Sequence, residues 1–247
     1  MAELLKIHSA ETSGASGGSG KRYVLFFHGC PFKCRFCRTP DICNSENFSL
    51  RSVDEIVADV LKYESFLNFS SGGFTASGGE PTLQAEGLLE LFKRLKGNAV
   101  STALDTCGYV DLSLKIKELL DFTDLVLLGI KHLDPQKHLA LTGRDNRKVF
   151  EFLEYLNLIK KPTRLKIVLL EGVSLGGGYA EALADFASKY RCIERVELLP
   201  YRGGAAQGAG RRKTSLRLQD LRLPSRASIK KFREALEAKG LEVVCGD

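Results

Sequence analysis

The chain has 247 residues, of which 44% are hydrophobic and 27% charged, and its formal net charge is +6. This composition excludes a disordered or collagen-like chain, and the length allows one large α/β domain with a substantial core. No apolar run approaches the roughly 18 residues of a membrane helix, and the first residues lack the apolar stretch of a secretory signal. We therefore expect a cytoplasmic protein without a membrane partner.

The predicted elements alternate between strands and helices. A Gly/Ser loop at residues 13–20 precedes a buried strand at 23–28, and Ser52 is the predicted N-cap of a helix at 52–66. Further strands are predicted at 73–76, 99–105, 125–130, 165–170 and 196–199, and further helices at 84–95, 112–120, 147–158, 179–190 and 228–239. Six β-α units with apolar strands predict a parallel sheet covered by helices, in a single domain of residues 1–247.

Chemically notable residues come directly after several of the predicted strands. In parallel α/β architectures the active site forms at the carboxyl ends of the strands, so one face would gather these residues. They are Cys30, Gly78, Gly79, Glu80, Asp105, Lys131 and Arg202.

Three of the seven cysteines, Cys30, Cys34 and Cys37, lie within eight residues, and the other four are scattered. This distribution favours metal or redox chemistry in a reducing compartment over a disulfide scaffold. A [4Fe-4S] cluster normally takes four cysteines, so a CxxxCxxC loop can leave one iron open to a ligand. The alternative is a closed zinc site with His28 as the fourth ligand. Spacing alone favours the cluster only modestly.

A second motif, Thr75-Ala-Ser-Gly-Gly-Glu80, follows the strand at 73–76. The two glycines let a ligand approach the backbone, and Glu80 can accept hydrogen bonds from an ammonium group. Glycine pairs before an acid are usually turns. Together with the cysteine loop in a six-fold β-α chain, however, the motif favours the cluster over zinc.

At this point the chain resembles the radical S-adenosylmethionine (SAM) superfamily, and more narrowly the activating enzymes of glycyl radical enzymes. The similarity runs over nearly the whole chain. It includes Ile7-His8-Ser9, Phe26-Phe27-His28-Gly29-Cys30, Pro40-Asp41, the Thr75 to Glu80 motif, Leu104-Asp105-Thr106-Cys107-Gly108, Thr123-Asp124-Leu125-Val126, Lys131 and Glu197-Leu-Leu-Pro-Tyr201.

The resemblance implies a partial (β/α)6 TIM-like barrel in which the three cysteines hold a [4Fe-4S] cluster and the open iron chelates SAM. An electron from flavodoxin or ferredoxin would cleave SAM to methionine and a 5'-deoxyadenosyl radical. In this family the radical abstracts hydrogen from a glycine of a partner glycyl radical enzyme, such as pyruvate formate-lyase. We expect a monomer that binds no nucleic acid.

The resemblance also implies roles for individual residues. Phe36 and Arg38 would lie against the adenine and the cluster, Gly79 and Glu80 against the methionine amine, and Lys131 near the SAM carboxylate. Asp105 would help to form a monovalent-cation site beside SAM. The expected cofactor-binding residues are Phe36, Arg38, Gly78, Gly79, Glu80, Asp105, Gly129, Ile130, Lys131, Lys166 and Arg202.

Four positions depart from the family pattern. The family's Asp-Gly-Pro-Gly is Gly17-Gly18-Ser19-Gly20 here, Gly129 replaces an Asp, Lys166 an Arg and Arg202 a His. The two lost acids contact a cation, SAM or the incoming glycine loop in the family. We expect SAM cleavage to be retained, while the changes bear on the cation site and on glycine-loop recognition.

A basic segment at residues 202–233 carries ten Lys or Arg and one acid, Asp220. A solvated basic face is the simpler interpretation, and a docking surface for an acidic macromolecule is the alternative.

Two other functions of the chain stay open. One is a radical SAM enzyme acting on another peptide, a small molecule or RNA, and the other is a zinc-binding or cluster-binding interaction module.

Overall fold

The computed structural model describes residues 3–14, 18, 20–37, 39–44, 46–203 and 222–246. The chain divides into two compact units. What we call the first unit comprises Met1–Pro31 and Asp41–Leu127, and the second unit comprises Phe32–Pro40 and Leu128–Asp247. Gly17, Arg38 and residues 204–221 of the basic segment lie outside the described residues. The single-domain organisation stays a prediction.

Five strands lie side by side in the first unit, in the order β3-β1-β2-β4-β5. Strands β2, β4 and β5 pair in parallel, as predicted, whereas β1 pairs antiparallel with both β2 and β3. Neither β1 nor β3 was predicted. Among the described side chains of β1 only Leu5 and Ile7 are buried, so this strand has no apolar run that would mark it in the sequence. The bounds are β1 Leu4–Gly14, β2 Arg22–Phe27, β3 Ser49–Ser52, β4 Gly73–Gly78 and β5 Thr102–Thr106. The predicted Gly/Ser loop therefore overlaps the end of β1.

The helix predicted at 52–66 is two helices, α2 (Val53–Leu61) and α3 (Glu64–Phe69), because the backbone leaves helical geometry at Tyr63. Its predicted N-cap is confirmed. The Ser52 hydroxyl accepts a hydrogen bond from the Glu55 amide at 3.3 Å, and the Glu55 carboxylate accepts one from the Ser52 amide at 2.8 Å. The other helices of this unit are α1 Asp41–Asn44, a 3₁₀ helix Pro81–Gln84, α4 Ala85–Gly97 and α5 Leu114–Asp121.

In the second unit, β7 (Thr163–Leu169), β8 (Ile193–Pro200) and β9 (Val243–Cys245) pair in parallel in that order. The boundary between the units falls within β6 (Leu125–Ile130). The helices are α6 Pro135–Thr142, α7 Arg147–Leu158, α8 Tyr179–Ala187 and α9 Arg226–Glu237. The sequence analysis missed α6 and β9, which are both short. No helix in the described part of the chain is long and apolar enough to cross a membrane.

Two histidines of the second unit, His132 and His138, are buried with exposed fractions of 2% and 0%. Burial lowers the pKa of both imidazoles below the ordinary value. As the pH falls below about 6.5, the unfolded chain therefore binds protons before the folded chain does, and stability is lost.

We expect the free energy of unfolding to fall between about pH 7.5 and about pH 5.5, by at most about 1.4 kcal/mol per pH unit for each histidine. Urea denaturation at the two pH values measures this decline. The His138→Asn variant should show a smaller decline than the wild type. Equal free energies at both pH values would contradict the expectation.

Candidate functional site

The three clustered cysteines are all half-buried. Cys30 follows the end of β2 in the first unit, and Cys34 and Cys37 belong to the second unit. Within either unit alone, the described residues form no group of three His, Cys, Asp or Glu side chains that could hold a metal ion. The three-cysteine cluster site therefore stays a prediction from the sequence and the family pattern.

The cysteine loop of the second unit, residues 32–37, rests on the last turn of α6. The Lys33 amide donates to the carbonyl of Thr142 at 2.8 Å, and the Arg35 amide donates to that of Leu141 at 3.0 Å. The Cys37 amide donates to the carbonyl of Cys34 at 3.2 Å, which closes a turn between the two thiols. These three bonds fix the backbone that carries both cysteines.

Phe36, expected beside the adenine, is buried in a small hydrophobic cluster with Leu141 and Leu170. The partly buried Cys34 and Tyr201 pack against the same cluster. Phe36 thereby anchors the loop, and its contact with adenine stays a prediction.

Arg35, between Cys34 and Cys37, provides a test of whether the loop fits an iron-sulfur cluster. Its Nη2 atom is buried and has no hydrogen-bond partner among the described residues. Burial also lowers the pKa of the Arg35 guanidinium. A cluster held by three thiolates places negative charge in such a loop, which would offset the positive charge of the Arg35 guanidinium. Thiol donors and a cation in one loop therefore fit the group.

The segment Gly78-Gly79-Glu80, which we call the GGE motif, packs directly on the segment before Cys30. The Gly79 amide donates to the carbonyl of Phe27 at 2.9 Å, and the Glu80 amide donates to that of Gly29 at 2.7 Å. A Cβ atom on Gly79 would lie only 2.0 Å from the Gly29 carbonyl oxygen. Gly78, at the end of β4, has a φ of 104°, which favours glycine. The protein's own packing therefore requires both glycines.

Glu80 is fully buried and joins the end of β4 to the end of β5. Its carboxylate accepts hydrogen bonds from the Thr106 hydroxyl at 2.8 Å, the Cys107 amide at 2.7 Å and the Thr82 hydroxyl at 2.7 Å. Burial raises the pKa of Glu80, and the bonds from Cys107 and Thr82 oppose that rise. The expected contact with the methionine amine stays a prediction.

Asp105 and Cys107 lie at and just after the end of β5. The Ser77 hydroxyl of β4 donates to the Asp105 carboxylate at 2.7 Å. Cys107 is buried, and burial together with the neighbouring Cys30 thiol raises the pKa of its own thiol. The first unit therefore places Gly79 and Glu80 just after β4, against the segment before Cys30, and Asp105 near the end of β5.

The remaining expected site residues lie in the second unit. Gly129 and Ile130 are buried at the end of β6, and Lys131 follows directly and is half-buried. Lys166 is half-buried within β7, and Arg202 is exposed just after β8. The roles expected for these residues stay predictions.

Sequence reasoning missed α6 and its fully buried His138, which lie beneath the cysteine loop. The signals for a helix are present. Asp134 caps its N-terminus, Pro135 occupies its first turn, and Gly143 follows its end in the left-handed conformation. The helix is short, so these signals give no extended apolar periodicity to detect.

Comparison with known proteins gives one family for most of the chain. The sequence profile of the family described as Radical SAM superfamily matches residues 24–187. A pyruvate formate-lyase-activating enzyme of Staphylococcus aureus is 36% identical over 243 residues, which is 95% of this chain and 96% of that protein. Its counterpart in Staphylococcus epidermidis is 39% identical over 201 residues, 79% of this chain and 80% of the relative.

A solved structure supports the fold. A domain of a pyruvate-formate lyase-activating enzyme from Bacteroides vulgatus has a TM-score of 0.61 and 23% identity, covering 71% of this chain and 99% of that one. At this identity the likeness concerns the fold alone. It confirms the predicted α/β fold class of the radical SAM core.

Proposed function

This chain belongs to the radical SAM superfamily and, within it, to the activating enzymes of glycyl radical enzymes, and we propose that it activates a partner glycyl radical enzyme. The observation that carries the proposal is the 36% identity over 95% of the chain to the activating enzyme of Staphylococcus aureus. The chain cleaves SAM and generates a radical, as its family does, and the identity of the protein that receives the radical is the proposed step.

Cys30, Cys34 and Cys37 would hold the [4Fe-4S] cluster, and Arg35 would offset part of its negative charge. When bound, the cluster supplies the electron for reductive cleavage of SAM to methionine and a 5'-deoxyadenosyl radical. The hydrogen bonds from Lys33 and Arg35 to α6 hold the loop in place. The Gly79 and Glu80 amides bind the segment just before Cys30, and the Glu80 carboxylate links that segment to the end of β5.

Other residues of this chain would orient SAM. Lys131, directly after β6, would donate to the SAM carboxylate, and Gly79 and Glu80 would lie against the methionine amine. Asp105, whose carboxylate accepts a hydrogen bond from the Ser77 hydroxyl, would help to form a monovalent-cation site beside SAM. The proposed electron donor to the cluster is flavodoxin or ferredoxin.

The 5'-deoxyadenosyl radical would take one hydrogen atom from the α-carbon of a glycine in the partner, giving 5'-deoxyadenosine and a glycyl radical. Arg202 and Lys166 stand where the family usually has His and Arg, and Gly129 stands where it has Asp. These three positions therefore bear on how the chain recognises the glycine loop of its partner.

The test is to reconstitute the protein with iron and sulfide under anaerobic conditions, then add dithionite, SAM and a bacterial pyruvate formate-lyase. We expect an electron paramagnetic resonance doublet on the lyase, split by the single remaining α-hydrogen. Lyase labelled with α-dideuterated glycine should give a collapsed doublet, which assigns the radical to glycine.

Two outcomes would count against the proposal in different ways. Formation of 5'-deoxyadenosine without a glycyl radical on any glycyl radical enzyme tested would contradict the proposed partner and favour another peptide, a small molecule or RNA. Absence of 5'-deoxyadenosine from a protein with a fully assembled cluster would contradict SAM cleavage itself.

A further inference from the structure

His138 is a fully buried residue of α6 to which the sequence analysis assigned no role. Its Nδ1 atom lies 2.9 Å from the carbonyl oxygen of Arg144. A carbonyl can only accept, so this geometry assigns the ring proton to Nδ1. The Nε2 atom is buried and has no hydrogen-bond partner in the described part of the chain.

The bond from His138 closes the last turn of α6 together with Thr142. The Thr142 hydroxyl donates to the carbonyl of His138 at 2.9 Å and accepts from the Arg144 amide at 3.2 Å. The Gly143 amide donates to the carbonyl of Leu139 at 2.8 Å. The last carbonyls of a helix have no partner within the helix, and this network supplies partners that fix the geometry of the turn.

The cysteine loop contacts this turn at several points. Phe32, with an exposed fraction of 1%, places its ring at 5.3 Å from the His138 imidazole in an edge-to-face arrangement. The Thr142 and Leu141 carbonyls accept the amides of Lys33 and Arg35. The backbone at residues 32–35 therefore takes its position from the turn that His138 closes.

We propose that His138 is a positioning residue for the iron-sulfur cluster, because the turn that it closes engages two amides of the cysteine loop in hydrogen bonds to its carbonyl groups. An N–H group that donates to a carbonyl is not available to a sulfur, and hydrogen bonds to the sulfurs influence the potential of a cluster. Fewer such bonds leave the thiolates more electron-rich and the cluster more reducing. Cleavage of a sulfonium requires a strongly reducing electron. This inference rests on the three-cysteine cluster of the proposed function.

Two variants separate the imidazole's hydrogen bond from its ring. His138→Phe keeps an aromatic ring against Phe32 and loses the donor to Arg144. His138→Asn loses the ring and keeps an N–H donor at the position of Nδ1. The measurement is a redox titration of the reconstituted cluster followed by electron paramagnetic resonance. We expect a more positive midpoint potential for His138→Phe and a potential close to the wild type for His138→Asn.

His132→Phe is the matched control, because His132 is a buried imidazole of the same unit whose ring stacks on Tyr179 rather than on the cysteine loop. We expect its potential to equal that of the wild type. If His138→Phe fails to fold, Thr142→Val removes the hydroxyl from the same turn and should shift the potential in the same direction.

Three results would overturn the inference. One is a wild-type potential in His138→Phe, or in Thr142→Val if the first variant does not fold, at full cluster content. Another is an equal shift in His132→Phe, which would indicate a general loosening of the second unit. The last is a wild-type protein that assembles no cluster, which would overturn the proposed function as well. Failure to activate a glycyl radical enzyme, by contrast, would leave the measured potentials and this inference intact.

Discussion

Replacement of Cys34 by alanine is expected to reduce 5'-deoxyadenosine formation to background. A [4Fe-4S] cluster is held by cysteine thiolates, and a loop that supplies three of the usual four ligands cannot lose another and retain the cluster. Cys34 is also packed against the hydrophobic cluster of Phe36, so the loop would present no substitute donor at that position. The measurement is chromatographic detection of 5'-deoxyadenosine after reduction with dithionite in the presence of SAM, together with the iron and sulfide content.

Cys43→Ala is the matched control for this prediction. Cys43 is a half-buried cysteine of α1, six residues after Cys37 in the chain. We expect this variant to keep wild-type iron content and product formation. Loss in both variants would make Cys43 a ligand and contradict the three-cysteine site, and full product formation by Cys34→Ala would contradict it directly.

Gly79→Ala is expected to give the second large effect, on both stability and cluster assembly. The added Cβ would lie 2.0 Å from the Gly29 carbonyl oxygen and 3.1 Å from a methyl carbon of Ile42. A backbone oxygen cannot turn away as a flexible side chain does, so the segment before Cys30 must shift. Overpacking of this kind costs about 1–3 kcal/mol and at times more. We expect a loss of at least about 3 kcal/mol, measured by urea denaturation of the protein without its cluster.

Gly97→Ala tests whether any glycine-to-alanine change in the first unit has this effect. Gly97 is the last residue of α4, and a Cβ there would meet nothing within 4 Å. Alanine has the higher helix propensity, so the variant should be unchanged or more stable by up to about 1 kcal/mol. If Gly79→Ala has the stability and cluster content of Gly97→Ala, the steric account of the GGE motif is wrong.

Much of the fold could be predicted because its signals are local. Apolar runs bounded by Gly, Pro or polar residues located β2, β4 and β6, and the Ser52 cap with Glu55 marked the start of α2. The prediction failed where pairing partners decide the structure. The polar strand β1 exists because β2 and β3 hydrogen-bond to its two edges, and no pattern within β1 records those partners.

The candidate site shows the same division. The cysteine loop, the GGE motif and Lys131 could be found from residue type and position after a strand. The hydrogen bonds by which Glu80 joins the ends of β4 and β5 could not be found in this way, since its partners Thr106 and Cys107 lie 26 and 27 residues away in the sequence. His138 carries no motif of its own, and only its place beneath the cysteine loop indicates a role.

The sequence by itself determined the chemistry, because three thiols at CxxxCxxC spacing, a GGE motif and regular β-α alternation are each properties of consecutive residues. Only the tertiary structure decided how the first unit holds Gly79 against Gly29 and Glu80 against Cys107, and how the second unit seats residues 32–37 on α6. The physical reason is that a hydrogen bond or a close contact between distant segments depends on how their elements pack. Residue order restricts that packing but does not record it.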